Sequence, residues 1–351
     1  MIDAGREEAD RILEELELRI SREYRNASIE VRQKLNDYLR RFEAKNRIKQ
    51  DQLTRGIITQ KEYKEWLKGQ LIVGERWQAL RDELSLRYAN ASARASNLIH
   101  GTMPSIYAQS HNYATYLVEH GARINTSYTL YDVPTIRRLI RDNPQMLPPP
   151  GRRTQARINQ GLDVRWNNQR IQSVMTQSIM QGESIPNIAT RLANEVGDSN
   201  RKAAIRNART MTTGAENAGR VDGFKRAEEM GIKMKQTWVA VLDKRTRYDH
   251  RYLDGMSVPV GEPWETQDGT KINFPGDPEC DDPGQIYNCR CTVIADIEGF
   301  EHDTGARDDP GYGDMSYDDW KAEHKSESNP IDLPEQVAED IRMQFIGGYR
   351  R

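Results

Sequence analysis

The chain has 351 residues and a mass of 40.4 kDa, with 36% hydrophobic and 30% charged residues. At roughly 150 residues per domain, this length predicts two domains or one domain with long appendages. The mean hydropathy of −0.84 indicates a modest core and long exposed helices, and no apolar run reaches the ~20 residues of a membrane span. Three cysteines exclude a secreted disulfide scaffold and favour folding in a reducing cytosol.

Charge is divided unevenly along the chain, although the net charge is only −2. Residues 241–351 carry 12 Lys and Arg against 25 Asp and Glu, whereas residues 101–240 carry 19 against 11. This division predicts two electrostatic faces. The basic middle suits nucleic acid or an acidic partner, and the acidic last third should repel DNA.

The first part of the chain has the pattern of long helices. Apolar side chains recur at steps of three and four from Ile12 to Phe42, the period of one helix face. Thr59 and Glu62 have the spacing of a capping box, which marks a helix start. We expect helices over 1–45, from 59, over 73–99 and over 105–120.

A proline-rich segment interrupts this helical pattern. Residues 147–151 read Leu-Pro-Pro-Pro-Gly, which cannot continue a helix, so we predict an extended hinge there. The expected parts are a helical N-terminal region 1–142, a hinge 143–160, a domain 161–298 and an acidic C-terminal tail 299–351.

The second half changes its period. Helical patterns at 163–181, from 184 and at 199–230 give way to β-rich runs at 236–242 and 289–297, with a short strand at 271–274 and a last helix at 334–346. The predicted fold is therefore mostly α, with long N-terminal helices followed by a small α+β domain that contains a short antiparallel sheet.

The residues between the two β-rich runs include a candidate metal site. All three cysteines, Cys280, Cys289 and Cys291, lie within twelve residues, and His250 precedes them by thirty. Thiolate and imidazole ligands suit Zn²⁺, and a long loop with little apolar content needs a cross-link such as a bound metal ion to stabilise it. The alternatives are three reduced cysteines, or a disulfide between Cys280 and one of the other two.

Asp249 and His250, followed later by an asparagine, also resemble a ββα-metal nuclease site. In such a site the histidine activates water, and a hard metal requires His or Asp where Cys289 and Cys291 stand. No set of nucleophile, base and stabiliser can be named. We therefore expect no catalysis and keep a metal-dependent nuclease as the alternative function.

Three blocks occur in order in this region. The first runs from Trp238 to Gly255, the second is Phe-Pro-Gly-Asp-Pro at 274–278, and the third is Asn-Cys-Arg-Cys at 288–291. Together they resemble the signature of the phage Mu protein F-like family of head morphogenesis proteins. The motif positions besides the cysteines and histidine are Trp238, Asp243, Arg245, Arg247, Asp254, Gly255, Pro275 and Asn288.

The resemblance implies a minor capsid protein of a tailed phage that is not an enzyme. It would bind the portal vertex inside the head, contact major capsid or scaffold protein or packaged double-stranded DNA, and have no membrane partner. Its place would be the virion, with host cytoplasm during assembly. Some family members carry a fused C-terminal toxin or transferase, which we do not expect in the short acidic segment after residue 297.

Arginines around the hinge are the candidate contacts for nucleic acid or a protein partner. Residues 152–209 hold ten Lys and Arg against four Asp and Glu, so they could neutralise phosphates without reading bases. A nucleic-acid-binding protein outside a virion is a second alternative, and a solvated helix face is the plainest one. The candidates are Arg152, Arg153, Arg157, Arg165 and Arg170.

Overall fold

The computed structural model describes residues 4–122, 130–134, 136–137, 162–298 and 316–323. The hinge 143–160 and the helix predicted at 334–346 lie outside these residues, as does most of the acidic tail. Within them the fold is mostly α, with a small antiparallel sheet near the C-terminal end, as predicted. None of the described helices is long and apolar enough to cross a membrane.

Six helices precede the sheet among the described elements. They are α1 (Ala4–Arg40), α2 (Glu43–Thr54), α3 (Gln60–Leu71), α4 (Glu75–Ala122), α5 (Leu162–Gln181) and α6 (Ile185–Glu229). Thr59 caps α3 with the predicted capping box: Glu62 N–H donates to Thr59 Oγ1 at 3.2 Å, and Thr59 N–H donates to Glu62 Oε2 at 2.8 Å. The predicted helix 1–45 is instead divided at residues 41–42.

Two further helix boundaries were predicted wrongly. The helices expected at 73–99 and 105–120 form the single helix α4, which contains Pro104, and α6 is continuous across the start predicted at 199. Proline lacks the N–H that a helix interior uses. α4 is buried on nearly all sides around Pro104, so packing against its neighbours outweighs the local loss of one hydrogen bond.

One apolar core joins α1, α4 and α6. It includes Leu16 and Val31 of α1, Tyr88 of α4, and Ile188 and Leu192 of α6, all at most 2% exposed. Burial of each large aliphatic side chain stabilises the fold by about 1.5–3 kcal/mol. This core runs across the domain boundaries that were drawn from the sequence. Those boundaries stay a prediction.

The sheet follows α6 and has its own core. Its strands are β1 (Met234–Val239), β2 (Ser257–Pro259) and β5 (Thr292–Ile297), in the antiparallel order β2-β1-β5 with Gln236 opposite Ala295. The remaining elements are a strand pair β3 (Trp264–Glu265) and β4 (Lys271–Ile272), and the short helices α7 (Tyr248–Leu253), α8 (Pro283–Ile286) and α9 (Tyr317–Glu323).

Candidate metal centre

His250, Cys289 and Cys291 form a compact buried group. α7 carries His250, and the two cysteines come just before β5. His250 Nδ1 lies 3.3 Å from Cys291 Sγ and 3.6 Å from Cys289 Sγ. The ligand atoms all lie within 4.8 Å of one another, and the three residues are 2%, 2% and 4% exposed. The fold therefore brings together three of the four predicted ligands.

Cys280, the fourth predicted ligand, is not part of this group. Its thiol lies 3.6 Å from the Asp282 carbonyl oxygen, in the turn before α8. Burial raises its pKa, and nearby carboxylates, Asp277 first among them, raise it further. A neutral thiol at this position needs no cationic partner. All three cysteines are free, so the structure contains no disulfide between them.

The pKa values of the two clustered cysteines are shifted in opposite directions. A hydrogen bond from Cys289 is the largest cause that lowers the pKa of Cys291, and contacts with His250 and Trp238 lower it too. The same hydrogen bond, together with burial, raises the pKa of Cys289 well above its usual value. Two sulfur atoms and an imidazole nitrogen in one buried group are a soft ligand set of the kind that binds Zn²⁺.

The histidine ring is held in place by aromatic side chains. Trp238 meets the His250 ring edge-on at 5.3 Å, and Trp264 meets Trp238 edge-on at 5.4 Å. His250 Nε2 is buried and has no hydrogen-bond partner among the described residues. The polar contacts of the ring are therefore on the Nδ1 side, which faces both sulfur atoms.

Asn217 of α6 connects the cysteine segment to the helical core. Its amide nitrogen donates to the carbonyl oxygens of Pro275 and Cys291, both at 3.1 Å. Its amide oxygen accepts from the Val293 N–H, also at 3.1 Å, and Thr213, one turn earlier, donates to the Cys289 carbonyl oxygen at 2.8 Å. The helix thus fixes the backbone on both sides of the two clustered cysteines.

The predicted Phe-Pro-Gly-Asp-Pro motif packs directly on α6. Gly276 has φ +82°, and a Cβ there would lie 2.7 Å from the Gly214 backbone nitrogen. A side chain fits at neither glycine. Asp277 closes the turn by accepting from Asn273 N–H at 3.1 Å and Glu279 N–H at 2.8 Å.

The predicted motif residues before α7 organise the loop after β1. Asp243 forms a two-pronged ion pair with Arg290 at 2.7 and 2.8 Å. Arg290 is the first cause and the Arg245 N–H the second that hold the pKa of Asp243 well below its usual range. Arg247 donates to the Tyr287 carbonyl oxygen. The loop is therefore attached to the segment that carries the cysteines.

The other motif positions serve the backbone. Asp254 Oδ1 accepts from the Ala240 N–H at 2.8 Å, and the Gly255 N–H donates to the Trp238 carbonyl oxygen at 2.8 Å. Gly255 has φ +76° and Asn288 has φ +52°, a region that glycine and asparagine adopt most easily. These positions therefore fix the course of the backbone around His250, Cys289 and Cys291.

Sequence reasoning missed the α6 side of the site. Thr213 and Asn217 occupy buried positions of α6. The sequence signal for these two residues is a pair of polar side chains at positions i and i+4 on the apolar face of a helix. This pattern predicts buried side chains whose hydrogen bonds are satisfied. The buried ion pair of Arg220 with Glu216, at 3.2 Å on the same helix, has the same spacing.

The arginines proposed for partner binding are only partly described. Arg165 is exposed on α5, and Arg170 pairs with Glu195 of α6 at 3.6 Å. Arg152, Arg153 and Arg157 lie outside the described residues. Their role in binding stays a prediction.

Comparison with known proteins finds a family that matches this region. Residues 169–294 match the family described as phage Mu protein F like protein. They cover α6, the strands β1 to β4, the first half of β5, and His250, Cys289 and Cys291. This stretch of the chain is similar to the Mu F-like family. The resemblance drawn from the sequence motifs is thereby confirmed.

Two relatives add to this comparison. The chain is 33% identical over 131 residues to the minor head protein GP7 of Bacillus phage SPP1, which covers 37% of this chain and 41% of GP7. It is 28% identical over 262 residues to the NAD(+)–arginine ADP-ribosyltransferase EFV of Enterococcus faecalis, 73% of this chain and 51% of EFV. The chain thus spans about half the length of these relatives or less. No solved structure matches it significantly.

Proposed function

We propose that this chain is a minor head protein of a tailed phage, assembled at the portal vertex inside the head and not acting as an enzyme. The observation that carries the proposal is the Mu F-like domain at 169–294, together with the likeness to the SPP1 minor head protein. In this proposal, binding to the portal vertex depends on the rigid helical part of the chain.

The likeness to EFV is compatible with this proposal. Its 262 matched residues are too many to avoid the segment 169–294. They are also too many to avoid the 131 residues matched by the SPP1 protein in a chain of 351, so the two relatives match a common part of this chain. A region common to a protein named a transferase and one named a head protein favours an assembly module as the shared part. We propose that this module is what the present chain supplies.

The nuclease alternative is less well supported by the geometry. His250, Cys289 and Cys291 are at most 4% exposed and lie beneath Trp238 and α6. A DNA strand would have to reach an ion held by all three. Because thiolates prefer softer cations than the Mg²⁺ of many nucleases, the group favours a structural role.

Quantitative mass spectrometry of purified virions and procapsids tests the head assignment. We expect this chain at a few copies per particle, retained with the portal after the heads are opened. The major capsid protein, counted in the same digest, serves as the internal standard. Absence of the chain from both particles would refute the assignment.

We further propose that the cluster of His250, Cys289 and Cys291 binds Zn²⁺ and pins the sheet to α6. Support comes from the burial of all three ligand atoms, the lowered pKa of Cys291 and the lack of a disulfide. The two-residue strands β3 and β4 also indicate a fold with little secondary structure of its own to stabilise it.

Metal content of the full-length chain tests this second proposal. We expect one Zn²⁺ per chain after dialysis, with loss of metal in Cys291→Ser and His250→Gln and retention in the matched control Cys280→Ser. Co²⁺ substitution should give sulfur-to-metal charge-transfer absorption that Cys291→Ser abolishes. Loss of metal in Cys280→Ser would instead establish Cys280 as a ligand, and metal-free wild-type protein would contradict the proposal.

A further inference from the structure

The short helix α9 packs against the C-terminal end of α4, away from the metal-binding group. Its Tyr317 and Trp320 are buried, at 9% and 4% exposure. Together with Tyr113 they form an apolar cluster separate from the two larger cores. We call the surface that receives the two rings the aromatic groove, and it consists of Tyr113, Tyr116, Leu117, Glu119 and Leu130.

Ring contacts and a hydrogen bond fix how α9 lies in the aromatic groove. Tyr317 meets Tyr113 edge-on at 5.1 Å, and Trp320 meets Tyr116 edge-on at 5.7 Å. The indole Nε1–H of Trp320 donates to Glu119 Oε2 at 2.6 Å. Two large anchors three residues apart on one helix face are the arrangement by which a short helical peptide binds a groove.

The helix α9 also carries its own start signal and commits only one face to this contact. Ser316 Oγ accepts from the Asp319 N–H at 3.2 Å and donates to the Asp319 carboxylate at 2.7 Å. Asp318 and Asp319 are exposed on the outer face. Because a helix of seven residues is marginal in water by itself, α9 depends on the groove for its order.

The groove side of the contact does not depend on α9 in the same way. α4 is held by α1 and α6 through the main apolar core. Within the groove, the Glu119 carboxylate and the Tyr116 hydroxyl are polar groups that water can solvate. Departure of α9 therefore opens the groove without opening the main core.

The chain between the sheet and α9 is long enough to reach more than one groove. Residues 299–315 connect the two, and a segment of this length spans at most about 60 Å when fully extended. Every copy of the chain carries both the groove and α9. A copy that lies beside this one is therefore a partner with a matching helix.

We propose that α9 binds the aromatic groove of a second copy of this chain and so links neighbouring copies. Exchange of an identical element requires no new surface, because the contacts between copies are those that α9 makes within one chain. The setting rests on the proposed function, in which a few copies are gathered at one vertex. Such gathering raises the effective concentration of each neighbouring α9 at the groove.

Mixing two complementary full-length variants tests the exchange. Tyr317→Ala/Trp320→Ala, called the acceptor, keeps the groove and loses both anchors. Tyr116→Ala/Glu119→Ala, called the donor, keeps α9 and loses groove contacts. In analytical ultracentrifugation we expect the mixture to form a one-to-one pair that neither variant forms alone. The variant with all four substitutions is the matched control and should pair with neither.

A fluorescently labelled peptide of residues 314–325 gives a second measurement that does not require the donor to fold. Its anisotropy should show binding to the acceptor, and Trp320→Ala in the peptide should raise Kd at least about tenfold, as expected for a tryptophan anchor. The unlabelled peptide should also dissociate the acceptor–donor pair.

The proposal is overturned when the acceptor binds neither the donor nor the peptide, because the groove then accepts only the α9 of its own chain. Pairing by the variant with all four substitutions would place the association on another surface, and so would a pair that the peptide leaves intact. Both results would also overturn the proposal. These measurements use purified chains, whereas the head assignment is tested by copy number in particles, so either can fail alone.

Discussion

At the scale of single residues, Asp243 shows how one side chain joins distant parts of the chain. It pairs with Arg290, which lies between the two clustered cysteines, and it accepts the Arg245 N–H at 2.7 Å. The carboxylate therefore connects the loop after β1 to the segment before β5. A shift in the ionisation of Asp243 must change the stability of this connection.

The stability contributed by Asp243 should depend on pH in one direction. Its folded pKa is held below the usual value of about 3.9, so the contribution is fully present above pH ~4 and is lost as pH falls through the folded pKa. Urea unfolding of wild type and Asp243→Asn should give midpoints that differ at pH 7 and converge toward pH 3.

The control for this prediction is Glu65→Gln, which removes one exposed carboxylate from α3. Its midpoint should follow that of the wild type at both pH values. A difference between wild type and Asp243→Asn that persists unchanged at pH 3 would contradict an electrostatic role for the pair.

At the scale of elements, the crossing of α4 and α6 depends on glycine. A Cβ at Gly219 would lie 2.5 Å from the Tyr107 carbonyl oxygen, and one at Gly223 would lie 3.1 Å from that of His111. The two helix backbones are therefore in direct contact. These glycines reduce the helix propensity of α6 locally, but they allow the close packing that keeps it continuous.

Gly219→Ala should destabilise the protein by about 2 kcal/mol, because backbone atoms of α4 must move to accept the methyl group. Gly101→Ala is the matched control in α4, since a Cβ there meets nothing within 4 Å. It should stabilise by about 0.5–1 kcal/mol through helix propensity. Thermal unfolding of both variants checks the prediction, and equal shifts would contradict the close crossing.

At the scale of the whole molecule, the stretch that is similar to the Mu F-like family shares its core with the N-terminal helices. α6 buries Ile188, Leu192 and Val196 completely, in the cluster that also includes residues of α1 and α4. The sheet rests on the other end of the same helix through Asn217. α6 is thus the element on which both halves of the described structure depend.

The fragment 161–298 should not fold cooperatively when it is produced alone. Exposure of about five large aliphatic side chains costs about 1.5–3 kcal/mol each, which is comparable with the 5–15 kcal/mol of a typical domain. We expect helical far-UV circular dichroism without a cooperative thermal transition, and dye binding to exposed apolar surface. A sharp transition at the temperature of the full chain would instead support the boundary drawn from the sequence.

The sequence by itself determined the local features. Periodic apolar side chains predicted the long helices, Thr59 and Glu62 predicted a helix start, and β-branched runs predicted the paired strands β1 and β5. The ordered motifs were enough to indicate the family. Each of these signals is contained in a few consecutive residues, so no long-range contact was needed to interpret it.

Only the tertiary structure decided the features that depend on distant residues. Pro104 lies inside α4, and α6 continues past residue 199, because packing outweighs local preference. The same holds at the site: His250 meets Cys289 and Cys291 but not Cys280, across about forty residues. Spacing along a loop does not fix distance in space, whereas Asn217 and the α6 backbone do.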